Sequence, residues 1–402
     1  MKFSKGQYIK TLPCGNQCSQ ECYSNVNADD VNEYLKLLLQ SGYTQYNLSA
    51  LNGNIFATLS KSGKLLNLNY TKHDSTLRVL CDPLIETYFK VTEPPYQKIT
   101  DTSLAIIPLD YSHREIADAH GMCYAITLED GRFIVIDGGY DDYFENGTKK
   151  EPRDAEILFE YLRSHNKRDE KIIIAAWIFT HPHADHCGAF FKFNRLYRND
   201  IEIQHFIYND GDPSTYAAQY QPEDFLRDKL PKIIRDEYKN AKIIKPHISQ
   251  SFSFCNLTIT AIFTQEALAP YIKPAPNDAS LILRFEINGT ILLFMADADQ
   301  TVSNLLTTIY GNMLKSNIMQ VNHHGYSGAT CSLYDCISPE YTMWTTSQIA
   351  FEKRTSGEKY KFIGNAVESN KYIFDKLGSA HCLIADKKVT TVTFKRDGYF
   401  VN

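Results

Sequence analysis

The sequence predicts a mixed α and β protein in two unequal parts, a small α+β module over residues 1–100 and a larger α/β unit over 101–402. Three observations predict it. The chain has 402 residues, whereas a single hydrophobic core stops growing at roughly 250–300. With 43% hydrophobic and 22% charged residues, it can bury sizeable cores and has no bias toward disorder or a collagen-like repeat. Finally, Pro94 and Pro95 interrupt a stretch without clear period between 83 and 100, which places the boundary there.

In the first part, Asp30 and Glu33 form a capping-box pattern. Val31, Tyr34, Leu35, Leu38 and Leu39 then recur at helical spacing until Gly42. Runs at 55–59, 66–70 and 77–80 alternate as strands, with a Ser62-Gly63 turn between the first two. One helix and a small meander are expected.

The second part opens with an apolar run at 122–126, an Asp130-Gly131 turn and a run at 133–136, a hairpin that ends on Asp137-Gly138-Gly139. Ile157, Leu158, Tyr161 and Leu162 mark a helix from Asp154. Residues 171–180 are nearly all apolar, the pattern of a strand buried on both faces, and the run stops at His181. Strands are expected at 258–262, 280–285 and 290–295, the last two joined by an Asn288-Gly289 turn. A short run at 317–321 ends at His323-His324-Gly325, and a last strand at 389–394 precedes the Asp397-Gly398 turn.

Charge and targeting narrow the function classes. Forty-two Lys and Arg against 47 Asp and Glu leave a net charge of −5, so no global field recruits nucleic acid or an anionic membrane. Lys149, Lys150 and Arg153 make only a weak basic run. No apolar run approaches the ~20 residues of a spanning helix. The first ten residues lack the roughly 7–15-residue apolar stretch of a secretory signal, so a cytoplasmic, thiol-reducing location is expected. Cys14, Cys18 and Cys22 recur every four residues, looser than the pairs of zinc ribbons, and are expected to be reduced and non-ligating.

Four strands thus end on His or Asp: at Asp137, at His181-Pro182-His183-Ala184-Asp185-His186, at Asp297 and at His323-His324. Polar groups raised on strand ends and converging on one edge are how a rigid scaffold builds a site. His181 and His183, two apart on an extended loop, can present two imidazoles to one ion. Asp185 and His186 can turn to a second. Imidazole nitrogen and carboxylate oxygen suit zinc and related divalent ions, and Asp297 is the expected bridge.

These residues resemble the metallo-β-lactamase-fold hydrolases, whose H-x-H-x-D-H signature stands here at His181, His183, Asp185 and His186. The resemblance implies a four-layer αβ/βα sandwich over 101–402, with a dinuclear site at one sheet edge. It also implies two divalent metal ions, Zn2+ foremost, with Mn2+ or Fe as alternatives, and a supporting rather than ligating role for Asp137. The segments Asn277-Asp278-Ala279-Ser280-Leu281-Ile282, LLFMAD at 292–297 and VNHHGYSG at 321–328 are similar to a narrower subgroup. That subgroup includes the hydrolase domain of competence protein ComEC and the choline-phosphate esterases. Its paired His supplies one ligand and one group facing substrate, here His324 as the expected ligand and His323 as the expected substrate-facing group, with the reverse assignment as the alternative. The family often has another His ligand between the second and fourth motifs. Only His205 and His247 lie in that interval, neither in a motif context, so the first metal is expected to keep an open position.

The implied reaction is hydrolysis of a phosphate ester, a phosphodiester foremost, in a small anionic substrate. Two divalent ions outweigh Asp185, Asp297 and a bridging hydroxide, which would be the nucleophile. Asp185 and His323 complete the catalytic set. Ser280, Tyr326 and Ser327 are candidate substrate contacts, Cys187 is expected to pack the next helix, and specificity is expected in loops such as 209–223. Two alternatives stand beside this reading: hydrolysis of a lactone, thioester or β-lactam, and a non-catalytic binding or regulatory module on the same fold. The redox branch, which has a carboxylate where His183 stands, is disfavoured.

Overall fold

The computed structural model describes residues 2–15, 18–82, 95–115, 118–168, 171–209, 211–217, 225–360 and 363–402. Most of the expected boundary, including Pro94, lies outside the described residues, as do 210 and 218–223 of the expected specificity loop.

The first six strands are β1 (Gln7–Pro13), β2 (Ser19–Ser24), β3 (Thr44–Leu51), β4 (Asn54–Lys61), β5 (Lys64–Thr71) and β6 (Thr76–Asp82). They form one antiparallel sheet in the order β1-β2-β6-β5-β4-β3. The expected meander is its β4–β6 part. The module is therefore richer in β structure than expected, because β1, β2 and β3 add three strands. Helix α1 (Ala28–Gln40) packs Val31, Tyr34, Leu35 and Leu38 onto Phe3, Tyr23, Ile55 and Leu59 of this sheet and its N-terminal arm. Leu39, expected in the buried stripe, is exposed. The capping box is also shifted. Asn27, extended at φ −118, accepts from the Asp30 N–H at 3.0 Å, and the Asp30 carboxylate accepts from the Asn27 N–H at 3.2 Å. Asp30 thus occupies the third helical position because the chain is already helical at Ala28.

Among the described residues, the larger unit holds two large sheets and one two-stranded sheet. The strands β7 (Ser103–Ile106), β8 (Cys123–Thr127) and β9 (Phe133–Asp137) come first, then the small hairpin β10 (Tyr143–Glu145) and β11 (Thr148–Lys150). They are followed by β12 (Ile172–Ile178), β13 (Ile201–Ile203), β14 (His205–Ile207) and β15 (Lys242–Ile244). A second sheet contains β16 (Ser251–Phe254), β17 (Leu257–Phe263), β18 (Ile282–Ile287), β19 (Thr290–Phe294), β20 (Ile318–Gln320), β21 (Tyr341–Trp344) and β22 (Cys382–Ile384), paired in that order. The chain then returns to the first of these sheets with β23 (Thr390–Lys395) and β24 (Gly398–Val401), giving the order β15-β14-β12-β9-β8-β7-β23-β24 with β13 also beside β12. The expected last strand is β23, and β24 lies beyond the Asp397-Gly398 turn. The strand expected at 280–285 starts only at Ile282. Ahead of it, the Ser280 N–H donates to Asn277 O at 3.1 Å and the Leu281 N–H to Thr180 O at 2.9 Å, so both leave the ladder.

Strand period 2 divides the apolar residues between faces. Ile134 and Ile136 of β9 join Ile178, Leu283, Leu292 and Phe294 in a core shared by both sheets. Phe133 and Val135 instead meet Leu158 and Leu162 of α2 (Asp154–His165) and Phe190 and Phe193 of α3 (Ala184–Tyr197). On the other sheet, Leu293 and Met319 pack against Val302 and Leu306 of α4 (Gln300–Tyr310) and Leu333 and Ile337 of α5 (Cys331–Ile337). Each such side chain contributes about 1.5–3 kcal/mol by leaving water, which holds the strand ends carrying the site in fixed relation. Among the described residues, no helix is long and apolar enough to cross a membrane.

Candidate metal centre

Four strand ends converge on one edge. Strand β9 finishes on Asp137, and β12 runs out just before His181. His183 is the extended residue capping α3, so Asp185 and His186 fall in that helix's first turn. Beyond β19 comes Asp297, and beyond β20 the pair His323 and His324. The backbone is left-handed at Asp137 (φ 55), Ala296 (φ 47), His323 (φ 47) and His324 (φ 53), a conformation that costs non-glycine residues energy and turns each side chain sharply off its strand.

The donor atoms form two groups, each with all members within 4.8 Å of one another: Asp185, His186, Asp297 and His324, and His181, His183 and Asp297. Asp297 belongs to both. Its Oδ1 lies 3.2 Å from His186 Nε2 and 3.3 Å from His324 Nε2, and its Oδ2 lies 3.7 Å from His181 Nε2 and 3.4 Å from His323 Nε2. Asp185 Oδ2 is 3.3 Å from His324 Nε2 and 3.5 Å from His186 Nε2.

Hydrogen bonds from behind aim these rings. Asp137 Oδ2 is 2.7 Å from His186 Nδ1, while its carboxylate also accepts from the Thr180 N–H (2.9 Å) and hydroxyl (2.7 Å). His324 Nδ1 meets Thr345 Oγ1 at 2.8 Å. In both rings Nε2 is left to face the centre. Burial, reinforced by neighbouring His186, holds the His181 imidazole well below its ordinary pKa, and burial lowers His183 too, so both stay neutral. Burial alone would raise Asp185 and Asp297, but His186 and His324 outweigh it and keep both carboxylates ionised.

This donor set fits divalent cations. Asp297 Oδ1 is buried with no hydrogen-bond partner among the described residues. The Nε2 atoms of His186 and His324 face each other at 3.2 Å, where one proton at most can lie between two lone pairs. A cation satisfies all of these atoms at once.

The sequence profile of the metallo-beta-lactamase superfamily matches residues 118–330, just over half of the chain. The chain belongs to that superfamily. No curated protein matches it at the level of sequence. Among solved structures it is similar to CmlA, a diiron beta-hydroxylase from Streptomyces venezuelae, at 10% identity and a TM-score of 0.42. A variant of CmlA beta-hydroxylase gives 9% and 0.41. Each likeness covers 75% of this chain and 55% of the other, so the chain spans about half the length of those proteins.

Within this metallo-beta-lactamase superfamily member, the residues of the H-x-H-x-D-H motif, Asp297 and the His pair come together, with Asp137 behind them. Other expected site residues do not face the centre. Ser280 is fully buried, and its Oγ accepts from the Asp297 N–H at 3.2 Å. The Tyr326 hydroxyl donates to Asp118 O at 2.9 Å and lies 2.9 Å from His120 Nδ1, and its ring lies 3.9 Å from the Arg354 guanidinium. Ser327 Oγ is 2.8 Å from His323 Nδ1, so it touches the expected donor. Cys187 is buried in α3, where its thiol donates to His181 O at 3.0 Å. His205 Nδ1 bonds Ala175 O at 2.7 Å, and His247 pairs with Glu266 and Asp82. Neither joins either donor group.

His120, Arg114, Tyr140 and Asn277 were not picked out as site residues. His120 Nε2 lies 3.6 Å from Asp185 Oδ2 and 3.0 Å from the Tyr140 hydroxyl. Arg114 sits over the Tyr140 ring at 4.7 Å and meets His120 at 3.0 Å. Asn277 Nδ2 is 3.4 Å from the His323 ring nitrogens. No motif spacing marks the first three. Asn277 does carry a signal, since it opens the segment that resembles the ComEC-like subgroup.

Proposed function

We propose that this chain is a dinuclear metal-dependent hydrolase of small phosphate esters, phosphodiesters foremost. The observation that carries the reading is the inequality of two donor groups sharing Asp297. One has four donors. The other has three, and the histidines that could complete it, His205 and His247, are engaged elsewhere. An open position beside a bridging carboxylate suits an anionic oxygen of the substrate.

Residues His181, His183 and Asp297 would hold one ion, and Asp185, His186, Asp297 and His324 the other, with zinc the best match to the imidazole-rich set. Two such ions supply water ionised near neutral pH and polarise phosphoryl oxygens. Asp137 fixes the tautomer and tilt of His186. His323, left out of both groups and steadied by Ser327 and Asn277, donates a hydrogen bond to charge developing on the phosphoryl group. Arg114 adds a fixed cation near Asp185: burial opposes its charge, but Tyr140, Asp185 and Asp118 together raise its pKa. The Asn277 contact to His323 supports placement in the ComEC-like or choline-phosphate-esterase-like subgroup. The core shared by two sheets, with helices on their outer faces, supports the four-layer sandwich, and the separate N-terminal core supports a boundary near residue 100.

The test is to load purified protein with zinc or manganese and offer bis-p-nitrophenyl phosphate, a chromogenic β-lactam and a thioester. Turnover of the diester in preference to both acyl substrates is expected. Preference for either acyl substrate overturns the phosphoester reading. His186→Ala should lower kcat by more than about 100-fold, and an unaffected variant refutes the dinuclear site.

A further inference from the structure

A second cluster of buried titratable groups, sharing no residue with either donor group, lies on the seam between the N-terminal sheet and the larger unit. Lys245, just past β15, donates from Nζ to Cys14 O at 2.6 Å. His247 places Nδ1 3.1 Å from Glu266 Oε1 and Nε2 3.6 Å from Asp82 Oδ2. Gln20 and Asn209 donate to Glu266 at 2.8 Å each. The two cysteines here are opposed at the turn end of the β1–β2 hairpin. The last pair in register is Pro13 with Ser19, and one step further the Cys14 N–H donates to Cys18 O at 2.9 Å. Side chains of opposed strand residues share a face, with Cβ atoms about 4.5–5.5 Å apart. A disulfide holds its Cβ atoms roughly 3.5–4.5 Å apart, so closing one here draws the two strands together by about 1 Å. Both thiols pack in one small cluster with Leu80.

A cavity of about 210 Å³ reaches Cys14, the outer member of this pair, and is also lined by Gln20, Lys10, Lys273, Asp212 and Glu266. Lys10 and Lys273 stand against Asp212 and Glu266, so the wall carries both signs, matched to a ligand that bears both carboxylate and ammonium groups. We propose that Cys14 and Cys18 form a second reactive site, a dithiol that exchanges with small anionic disulfides of the glutathione type. This site is independent of the metal chemistry.

The surroundings supply the nucleophile. A hydrogen bond from the Cys14 thiol, with the charges of Lys245 and His247, holds Cys18 below its ordinary pKa against the opposing effect of burial. The same hydrogen bond, with burial, pushes Cys14 up. The Cys18 thiolate attacks one sulfur of the small disulfide, forming a mixed disulfide and expelling one small thiolate. That thiolate takes the Cys14 proton, and the Cys14 sulfur then attacks Cys18 Sγ, expelling the second. The protein loses two electrons and one proton, and the small disulfide becomes one thiol and one thiolate.

The experiment equilibrates the full-length protein with a series of reduced-to-oxidised glutathione ratios, quenches with an alkylating agent and maps the cysteines without reduction. A Cys14–Cys18 crosslink is expected to form ahead of any other, while Cys123 and Cys187 are protected from alkylation and crosslinking by the intact fold. Cys14→Ser should accumulate one glutathione on Cys18, because the resolving sulfur is gone. Absence of the crosslink in the wild-type protein at every ratio overturns the proposal. So does its formation only in denaturant. The wild-type map decides the question even if a variant fails to fold.

Discussion

At the scale of single residues, the site depends on backbone conformations that ordinary residues avoid. Asp137, Ala296, His323 and His324 each hold positive φ, at a cost of order 1–3 kcal/mol apiece. The packed strands beneath them keep that geometry in place. Asp137→Asn removes charge from the atom facing His186 Nδ1 while keeping shape. It should weaken zinc affinity or turnover about 10–100-fold with little change in melting temperature, read by competition with a chelating dye and by kcat. Gly325 follows the His pair at φ +89, and a Cβ there would lie 2.6 Å from the Trp344 ring. Gly325→Ala should therefore destabilise the protein by about 1–2 kcal/mol in chemical denaturation and displace His324, lowering activity as well. At this scale the sequence was most informative, because strand-end His and Asp residues have a chemistry that packing does not need. His120 escaped notice because it stands alone in the chain. Only the fold carries it to within 3.6 Å of Asp185.

At the scale of elements, legibility followed position in the sheet. Strands β4, β5 and β6 are interior or nearly so, buried along most of their length, and their alternation was plain. β1 and β3 are the two edges of the same sheet and are largely exposed. One-sided pairing leaves them free to carry polar residues on both faces, which erases the period. Short strands such as β14 and β22 have only three residues each, too few for any pattern. The α1 cap was displaced for a similar reason, since Asn27, Asp29 and Asp30 all suit a helix start and only local hydrogen bonding selects among them. Asn27→Ala should cost about 1 kcal/mol of stability, seen as a lower denaturation midpoint, whereas Asp29→Ala should cost less. That ordering checks the cap directly.

At the scale of the whole molecule, the two parts meet through polar groups remote in sequence. Asn47 bonds Ser249 Oγ at 2.8 Å, Gln250 bonds Thr58 and Asn67 at 3.2 and 3.0 Å, and Arg78 reaches Ala269 O. Nothing in the local sequence announces such partners, so the docking of the N-terminal sheet could not be read from it. The seam should respond to pH. Burial opposes the charged form of His247, yet Glu266 and Asp82 push its pKa up to about 9 from 6.5. Burial likewise opposes the Glu266 carboxylate, and His247 and Lys245 bring its pKa down to about 2 from 4.5. The stabilisation from His247 is complete below pH 6.5 and is lost as pH rises through about 9. That from Glu266 is complete above pH 4.5 and is lost as pH falls through about 2. Hydrogen exchange in β2 and β6, corrected for its intrinsic pH dependence, should therefore show strongest protection between pH 4.5 and 6.5. A His247→Gln variant should flatten the alkaline loss.

Asp297 serves both donor groups with its two oxygens. Two ligands that share a donor cannot bind as strangers: whatever factor the first applies to the second's affinity, the second must apply to the first. A zinc titration followed by calorimetry should accordingly fail to fit two non-interacting steps. Replacing His183 should weaken chiefly one step, and Asp297→Ala should weaken both together.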